Sequence, residues 1–457
     1  MSYKELHNSQ GTNTPTENQA SAGGREPGNP PEGENTPATA NPSSDQDING
    51  QIQIRVLSSL GMLPIENATV DLSVTGDPDF LSLSLTTDES GLTPTITLPA
   101  PALSLSQTPS DEQPYSEYNI HVSAPAYDTV LVSGAEILPD ELALLTVLLT
   151  PEEDTAQTPG SGGVISIQPH TLFADYPPKI EEDEIKVVPN TGEIVLSRVV
   201  IPEYVIVHDG VPSDNTAQNY YVRYKDYIKN VASCEIYATW NEAAIYANIL
   251  TIMSFTLNRV FTEWYRNQGY DFTITSSTAY DQKWIYGRNI FENIDYLVDT
   301  VFANYLSRPG VRQPILTSYC DGQRVSCNGL SQWGSQYLAN EGYTAIEILR
   351  YYYGSDIYIN TADFISGIPS SYPGYALTNG SSGEKVRQLQ TQLNRIARNY
   401  PAIPTVSADG IYGPATEEAV RTFQRIFNLP QTGVTDYPTW YSISDIYVGV
   451  TRIAEPM

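Results

Sequence analysis

The chain has 457 residues, 40% of them apolar, and a formal net charge of −29; that length sets an expectation of two to four domains with real cores. The charge is uneven: residues 1–197 hold 29 Asp+Glu against 5 Lys+Arg, whereas residues 198–457 hold 24 against 19. Such a chain lacks the basic footprint that nucleic acid requires, has no run of 18 apolar residues to span a membrane, and starts on polar sequence without the apolar core of a signal peptide.

Residues 1–47 are mostly Asn, Pro, Gly, Ser, Thr and Glu, and bury too little to offset ordering entropy, so a disordered tail is expected there. From Ile48 the pattern alternates with period two. Gln51–Val56, Thr69–Val74, Tyr118–Val122 and Thr129–Val132 read as half-buried strands separated by Gly and Pro. A small β-sandwich is expected over residues 48–150, and Gly61–Val70 resembles the first hairpin of transthyretin-like sandwiches. Residues 151–199 read as a linker, with Thr158–Gly163 the kind of small polar stretch that proteases cut. The acidity of this N-terminal half suits either solubility or a removable acidic pro-region.

The largest globular unit is expected at 200–365. Tyr227, Ile228 and Val231 mark a helical face, Asn241 is an N-cap candidate for a long helix reaching towards Trp264, Phe272–Thr275 is a strand candidate, and Asn293–Leu306 and Thr344–Tyr353 are amphipathic helices. A last module at 374–447 places Val386, Leu389, Leu393 and Ile396 on one helical face and Ala419, Val420, Phe423 and Phe427 on another. The fold class is therefore multi-domain α+β. Cys234, Cys320 and Cys327 are too few for a disulfide framework; Cys320 and Cys327 could pair, share a metal, or stay as buried thiols.

Three segments of the last module, Gly383–Gln390, Asp409–Thr416 and Ala419–Gln424, closed by Thr432–Val434 and Thr439–Trp440, resemble the three-helix peptidoglycan-binding domain of bacterial wall hydrolases. The glycines of Asp409-Gly410 and Tyr412-Gly413 are expected to permit unusual backbone angles. Tyr412, Asn428 and Tyr437 are candidates for glycan contact.

The central unit resembles the SpoIID family of peptidoglycan lytic transglycosylases through Tyr227–Glu235, Thr275–Gln282 and Gly329–Gln336, followed by Gly342–Thr344 and Ile348–Gly354. The resemblance implies a mixed α/β catalytic domain with Glu235 at the position of the catalytic glutamate. One protonated carboxyl can serve as acid and then as base when the sugar's own 6-hydroxyl attacks, and hydrolases instead pair two carboxyls. Partial burial against Tyr237, Trp240 or aromatic neighbours would raise the pKa of Glu235 as that role requires. The substrate-binding set expected around it is Tyr237, Tyr280, Gln282, Ser331, Gln332 and Trp333, with Trp284, Tyr286 and Tyr351–Tyr353 as further aromatic surfaces. The zinc ligands of some members are absent at 275–282, so no metal and no cofactor is expected. Arg324–Asn328 replaces the family's His-containing stretch. The module order resembles spore cortex-lytic enzymes of the SleC type. That implies an inactive precursor cut by a subtilisin-like protease, peptidoglycan as the partner, and a place at the cortex/coat boundary after synthesis in the mother cell without a signal peptide. A catalytically inactive wall-binding protein and a phage-type endolysin are the alternatives.

Overall fold

The computed structural model describes residues 48–60, 62–152, 163–186, 198–367 and 371–452. The expected tail at 1–47 and residues 153–162 and 187–197 of the expected linker at 151–199 lie outside the described residues. Strands β1 (Asn49–Ser58), β2 (Thr69–Val74), β3 (Asp77–Thr86), β4 (Ile96–Pro99), β5 (Ser116–Ser123), β6 (Val130–Ile137), β7 (Leu142–Leu149) and β8 (Gly163–Ser166) come first. Then follow β9 (Val200–Ile201), β10 (Tyr204–His208), β11 (Asn219–Arg223), α1 (Tyr224–Glu235), α2 (Glu242–Phe261), β12 (Ile274–Thr275), β13 (Ile290–Phe291), α3 (Glu292–Val301) and β14 (Asn304–Ser307). The chain ends with β15 (Tyr319–Cys320), β16 (Leu330–Ser331), α4 (Gln332–Asn340), α5 (Ala345–Tyr353), β17 (Tyr358–Thr361), β18 (Phe364–Ile365), α6 (Glu384–Ile396), α7 (Pro414–Ile426) and α8 (Tyr437–Arg452). It is a mixed α/β protein.

The first strands build two sheets, ordered β13-β7-β1-β4 and β3-β2-β5-β6-β8. Period-two alternation drives this: Ile52, Ile54 and Val56 of β1 point inward and share one core with Val70 and Leu72 of β2 and Ile120 and Val122 of β5. Each sheet is completed by a strand from beyond residue 150. β8 runs parallel to β6, and β13 pairs antiparallel with β7. The β13 connection is reinforced by a buried ion pair between Arg288 and Glu136. The Asn289 amide also exchanges two 3.0 Å hydrogen bonds with the Glu136 backbone. Trp240 Nε1 donates to the Ser106 carbonyl at 2.8 Å. The sandwich is thus welded to the central unit by groups that are expensive to leave unpaired in a low-dielectric interior.

α2 runs through the central core and packs on α1, α4, α5 and β14. Asn241 caps it, its side chain accepting from the Ala243 amide at 3.0 Å. At 20 residues it spans roughly 30 Å. The helix expected over Asn293–Leu306 stops at Val301. The chain turns at Phe302–Ala303, and Tyr305 and Leu306 are buried instead on β14, which pairs with β17. The strand expected at Phe272–Thr275 shortens to β12, because Phe272 stacks on His208 with centroids 4.4 Å apart.

The last three helices form a separate layer. Pro414 sits in the first turn of α7, where its fixed φ suits a helix start. Of the two turn glycines, Gly410 has φ +81° and needs to be glycine, whereas Gly413 has φ −106° and does not. The module seats on the rest of the protein through Lys225, which bridges Asp299 and Asp445, and through Arg55, which lies 5.0 Å from the Phe427 ring centroid.

Candidate active site

Glu235 is the last residue of α1 and has no solvent exposure. The end of a helix is a poor place for a negative charge, because unpaired carbonyls gather there, and no basic residue stands in this last turn. Its Oε1 accepts a 2.7 Å hydrogen bond from the Lys283 amide. Its Oε2 has no partner. The Tyr319 hydroxyl lies against the carboxyl and interacts with it, yet it too lacks a partner in hydrogen-bonding geometry. The Tyr176 hydroxyl, a third unpartnered buried group, feels the same charge. Burial pushes the Glu235 carboxyl above its ordinary 4.5, against the lowering pull of the Lys179 ammonium, the Lys283 amide and Tyr319. A carboxyl whose pKa burial raises, with one oxygen anchored and the other unengaged, is suited to donate and take back a proton.

Residues 163–186 form a strap across this site. Thr171 N donates to the Cys234 carbonyl at 3.0 Å, and the His170 ring meets the Ile236 carbonyl at 3.3 Å, so the strap straddles Glu235 on both sides along the chain. Burial drives the His170 pKa well below its ordinary 6.5. The neutral ring donates from Nε2 to that carbonyl while Nδ1 accepts from the Leu172 amide at 3.2 Å. Further on, the Lys179 ammonium donates to the Asp281 carbonyl and lies 4.1 Å from the Tyr319 ring centroid. Although its stem is partly exposed, burial of the ammonium lowers its pKa to about 8, against upward pulls from Glu235 and Asp281. The strap is fastened by Glu182, gripped by the Arg259 guanidinium at 2.6 and 2.9 Å, and by Glu184, paired with Arg308.

The loop from Cys320 to Cys327 contributes to the same closure. Cys320 and Cys327 form a disulfide, which resolves the three readings open for them; Cys234 is a buried thiol. Within that loop, buried Asp321 accepts from the amides of Gln323, Arg324 and Val325 at 3.0–3.2 Å. The loop thereby presents Arg324, whose guanidinium donates to the strap carbonyls of Thr171, Phe173 and Ala174.

The residues expected around Glu235 divide. Gln282 is fully buried between Tyr227 and Thr256, accepting from their hydroxyls at 3.1 and 2.8 Å and donating to the Ile252 carbonyl, so it positions the Lys283 loop and shows no surface to a ligand. Tyr280 contributes a carbonyl to Arg259 at 3.1 Å. Tyr237 and Trp333 belong to an aromatic cluster with Trp240 and His170, at centroid distances of 4.3–6.0 Å. The buried hydroxyls of Tyr176, Tyr227 and Tyr319 all feel the Glu235 charge. Ser331 caps α4 through Gly334 N at 2.9 Å. Gln332 is buried with both amide atoms unpartnered. Tyr412 has no exposed surface, and its hydroxyl donates to the Gly433 carbonyl at 2.8 Å, so it braces the C-terminal module from inside. Sequence reasoning missed Tyr176, Lys179 and Tyr319. Among the described residues no three His, Cys, Asp or Glu side chains gather to hold a metal ion.

Residues 382–443 match the family model described as "Putative peptidoglycan binding domain". The zinc D-Ala-D-Ala carboxypeptidase of Streptomyces albus G is 43% identical over 68 residues, which are 15% of this chain and 25% of that protein. The chain thus spans about a quarter of the length of the curated relative it matches. Among solved structures, the Bacillus anthracis TIE protein aligns at 16% identity over 23% of this chain and 17% of its own, with a TM-score of 0.17. Hydroxyquinol 1,2-dioxygenase from Pseudomonas putida DLL-E4 aligns at 12% identity over 23% of this chain and 58% of its own, with a TM-score of 0.18. Overlaps at that score carry no argument about fold or chemistry. The C-terminal helices therefore match a domain described by peptidoglycan binding.

Proposed function

We propose that this chain is a peptidoglycan lytic transglycosylase of the SpoIID type, caught as a closed precursor. The observation that supports it best is Glu235: a buried carboxyl with a raised pKa, one oxygen held by the Lys283 amide and the other unengaged beside Tyr319. In this reading the protonated Oε2 gives its proton to the glycosidic oxygen as the bond to the anomeric carbon breaks. The resulting carboxylate takes the proton of the sugar's 6-hydroxyl as that oxygen bonds to the anomeric carbon. The product is a 1,6-anhydro end, and Glu235 ends protonated as it began. Asp281, two residues before Lys283, is saturated by its own partners, which leaves Glu235 to act alone.

The strap supports the precursor part of this reading, since a glycan cannot reach a carboxyl covered by Tyr176 and Lys179. Cleavage by a subtilisin-like protease in the region 151–199 would untether the strap. The sandwich itself is joined to the central unit by β13 and the Glu136–Arg288 pair, so cutting frees the strap sooner than it ejects the sandwich. The setting proposed is the spore cortex during germination, with the precursor stored at the cortex/coat boundary after synthesis in the mother cell.

The test is to incubate the full chain, before and after limited proteolysis, with cortex fragments and to look for anhydromuramic ends by mass spectrometry. Cut wild type is expected to yield them, and Glu235→Gln to yield at least about a hundredfold less. Equal product from both proteins would remove Glu235 from the chemistry.

A further inference from the structure

A cavity of about 530 Å³ lies beside the Glu235 loop, between β8 and the segment 283–286. Its floor is aromatic. Tyr220 lies 5.2 Å from Trp284 and 5.0 Å from Tyr286, centroid to centroid, and the Tyr220 and Tyr286 rings are stacked, 26° apart. Tyr286 is 37% exposed although nearby Ile165 and Ile285 could have covered it. Around this floor stand Gln168, Asp209, Ser276 and Lys283, a ring of donors and acceptors with no dominant charge.

Flat apolar faces ringed by mixed polar groups suit a ligand that is itself apolar on its ring faces and hydroxylated at its edges. A carbohydrate has that character, and a phosphate or an apolar peptide does not. The cavity is tied to the candidate acid by covalent continuity. Lys283 lines it with its side chain's segment, and the Lys283 amide holds Glu235 Oε1 at 2.7 Å. The same segment is locked against the strap at Gly287, where φ is +72° and an added Cβ would come within 2.6 Å of Ile165 Cγ2. Unlike Glu235, the cavity is open while the strap is closed.

We propose that Tyr220 and Tyr286, backed by the buried Trp284, form a docking subsite for an N-acetylated amino-sugar strand, occupied already in the closed chain. The substrate class rests on the lytic transglycosylase reading; the site's existence does not. The closed protein holds glycan on this platform and the strand extends towards Glu235, so that release of the strap exposes the acid to a substrate already in place.

The experiment is hydrogen exchange on the full uncut chain, titrated with the tetramer of N-acetylglucosamine and read by mass spectrometry of peptides. Protection is expected at residues 219–223 and 283–287, separately from any at residues 382–443. Tyr286→Ala, a half-exposed position, is expected to weaken the protection at 283–287 about tenfold in ligand concentration and to leave that at 382–443 alone. No protection at 219–223 and 283–287, or protection indifferent to Tyr286→Ala, would overturn the subsite. Anhydro products from cut wild type without platform protection would sink this inference and leave the lytic reading standing. Platform protection without such products would do the reverse.

Discussion

Two carboxyls are buried within a few residues of the same loop, and they are treated in opposite ways. Asp281 is saturated. Its Oδ1 takes Arg259 Nε at 2.7 Å, and its Oδ2 takes the Thr275 amide and hydroxyl and the Tyr265 hydroxyl at 2.7–2.9 Å. Glu235 has one amide on one oxygen and nothing on the other. A saturated buried charge fixes a structure, and a half-satisfied one stores the capacity to react. The comparison leaves Asp281 holding the loop and, under the proposed function, Glu235 for the chemistry, although both are acidic and buried.

The sharpest way to break that assignment is to neutralise each in turn. Asp281→Asn leaves the buried Arg259 guanidinium with Glu182 as its remaining carboxylate and sets an amide among the donors of Thr275 and Tyr265, and is expected to destabilise the fold by about 3–5 kcal/mol in denaturant titration. Glu235→Gln is expected to be neutral or stabilising, with a dependence on pH. The folded protein holds the Glu235 proton more tightly than the unfolded chain, so wild-type stability falls as pH rises from 4.5 through the raised value. The glutamine variant escapes that loss. Its advantage should be absent below pH 4.5 and grow above it, as melting curves across that range would record. A reversed ranking, with Glu235 the more important for stability, would undo the comparison.

A smaller effect concerns what hides the reactive carboxyl. Arg324 is partly exposed yet anchors three strap carbonyls. Arg324→Ala is expected to loosen the strap by about 1–2 kcal/mol, roughly a fivefold to thirtyfold rise in the open population. Uncut chain should then release anhydro ends faster by a similar factor and be nicked sooner between residues 163 and 186. Unchanged activity would mean the strap is held elsewhere, at Glu182 and Glu184.

The same contrast explains what could be read from the chain alone. α1, α2 and the capping Asn241 were legible because their signals lie within one or two turns of helix. The place of Glu235 at the end of α1 was legible in the same way. Its surroundings were not. Thr171 meets Cys234 and Arg324 meets Ala174 across spans of 63 and 150 residues, and no local periodicity encodes such pairs. Tyr412 shows a related blindness: a tyrosine in a Gly-rich turn has the same local pattern whether it faces a ligand or the interior. The helix expected through Leu306 overran because Tyr305 and Leu306 suit a buried helix face and a buried strand equally well.

The finest test lies in a single oxygen. The Tyr319 hydroxyl has no hydrogen-bond partner of its own, so Tyr319→Phe removes a buried polar atom that the fold does not use, and stability should move by less than about 0.5 kcal/mol. Its effect belongs to the carboxyl. Tyr319 pulls the Glu235 pKa down against burial, so its loss should let that pKa rise further. In the proposed mechanism the activity of the cut chain depends on the acid form of Glu235 at its first step. Its high-pH limb should therefore shift to higher pH in the variant, with a modest loss of maximal rate, about tenfold or less. A phenylalanine that lowered the rate while leaving the limb in place would make Tyr319 mere packing, and would leave the unengaged oxygen of Glu235 answering to the strap alone.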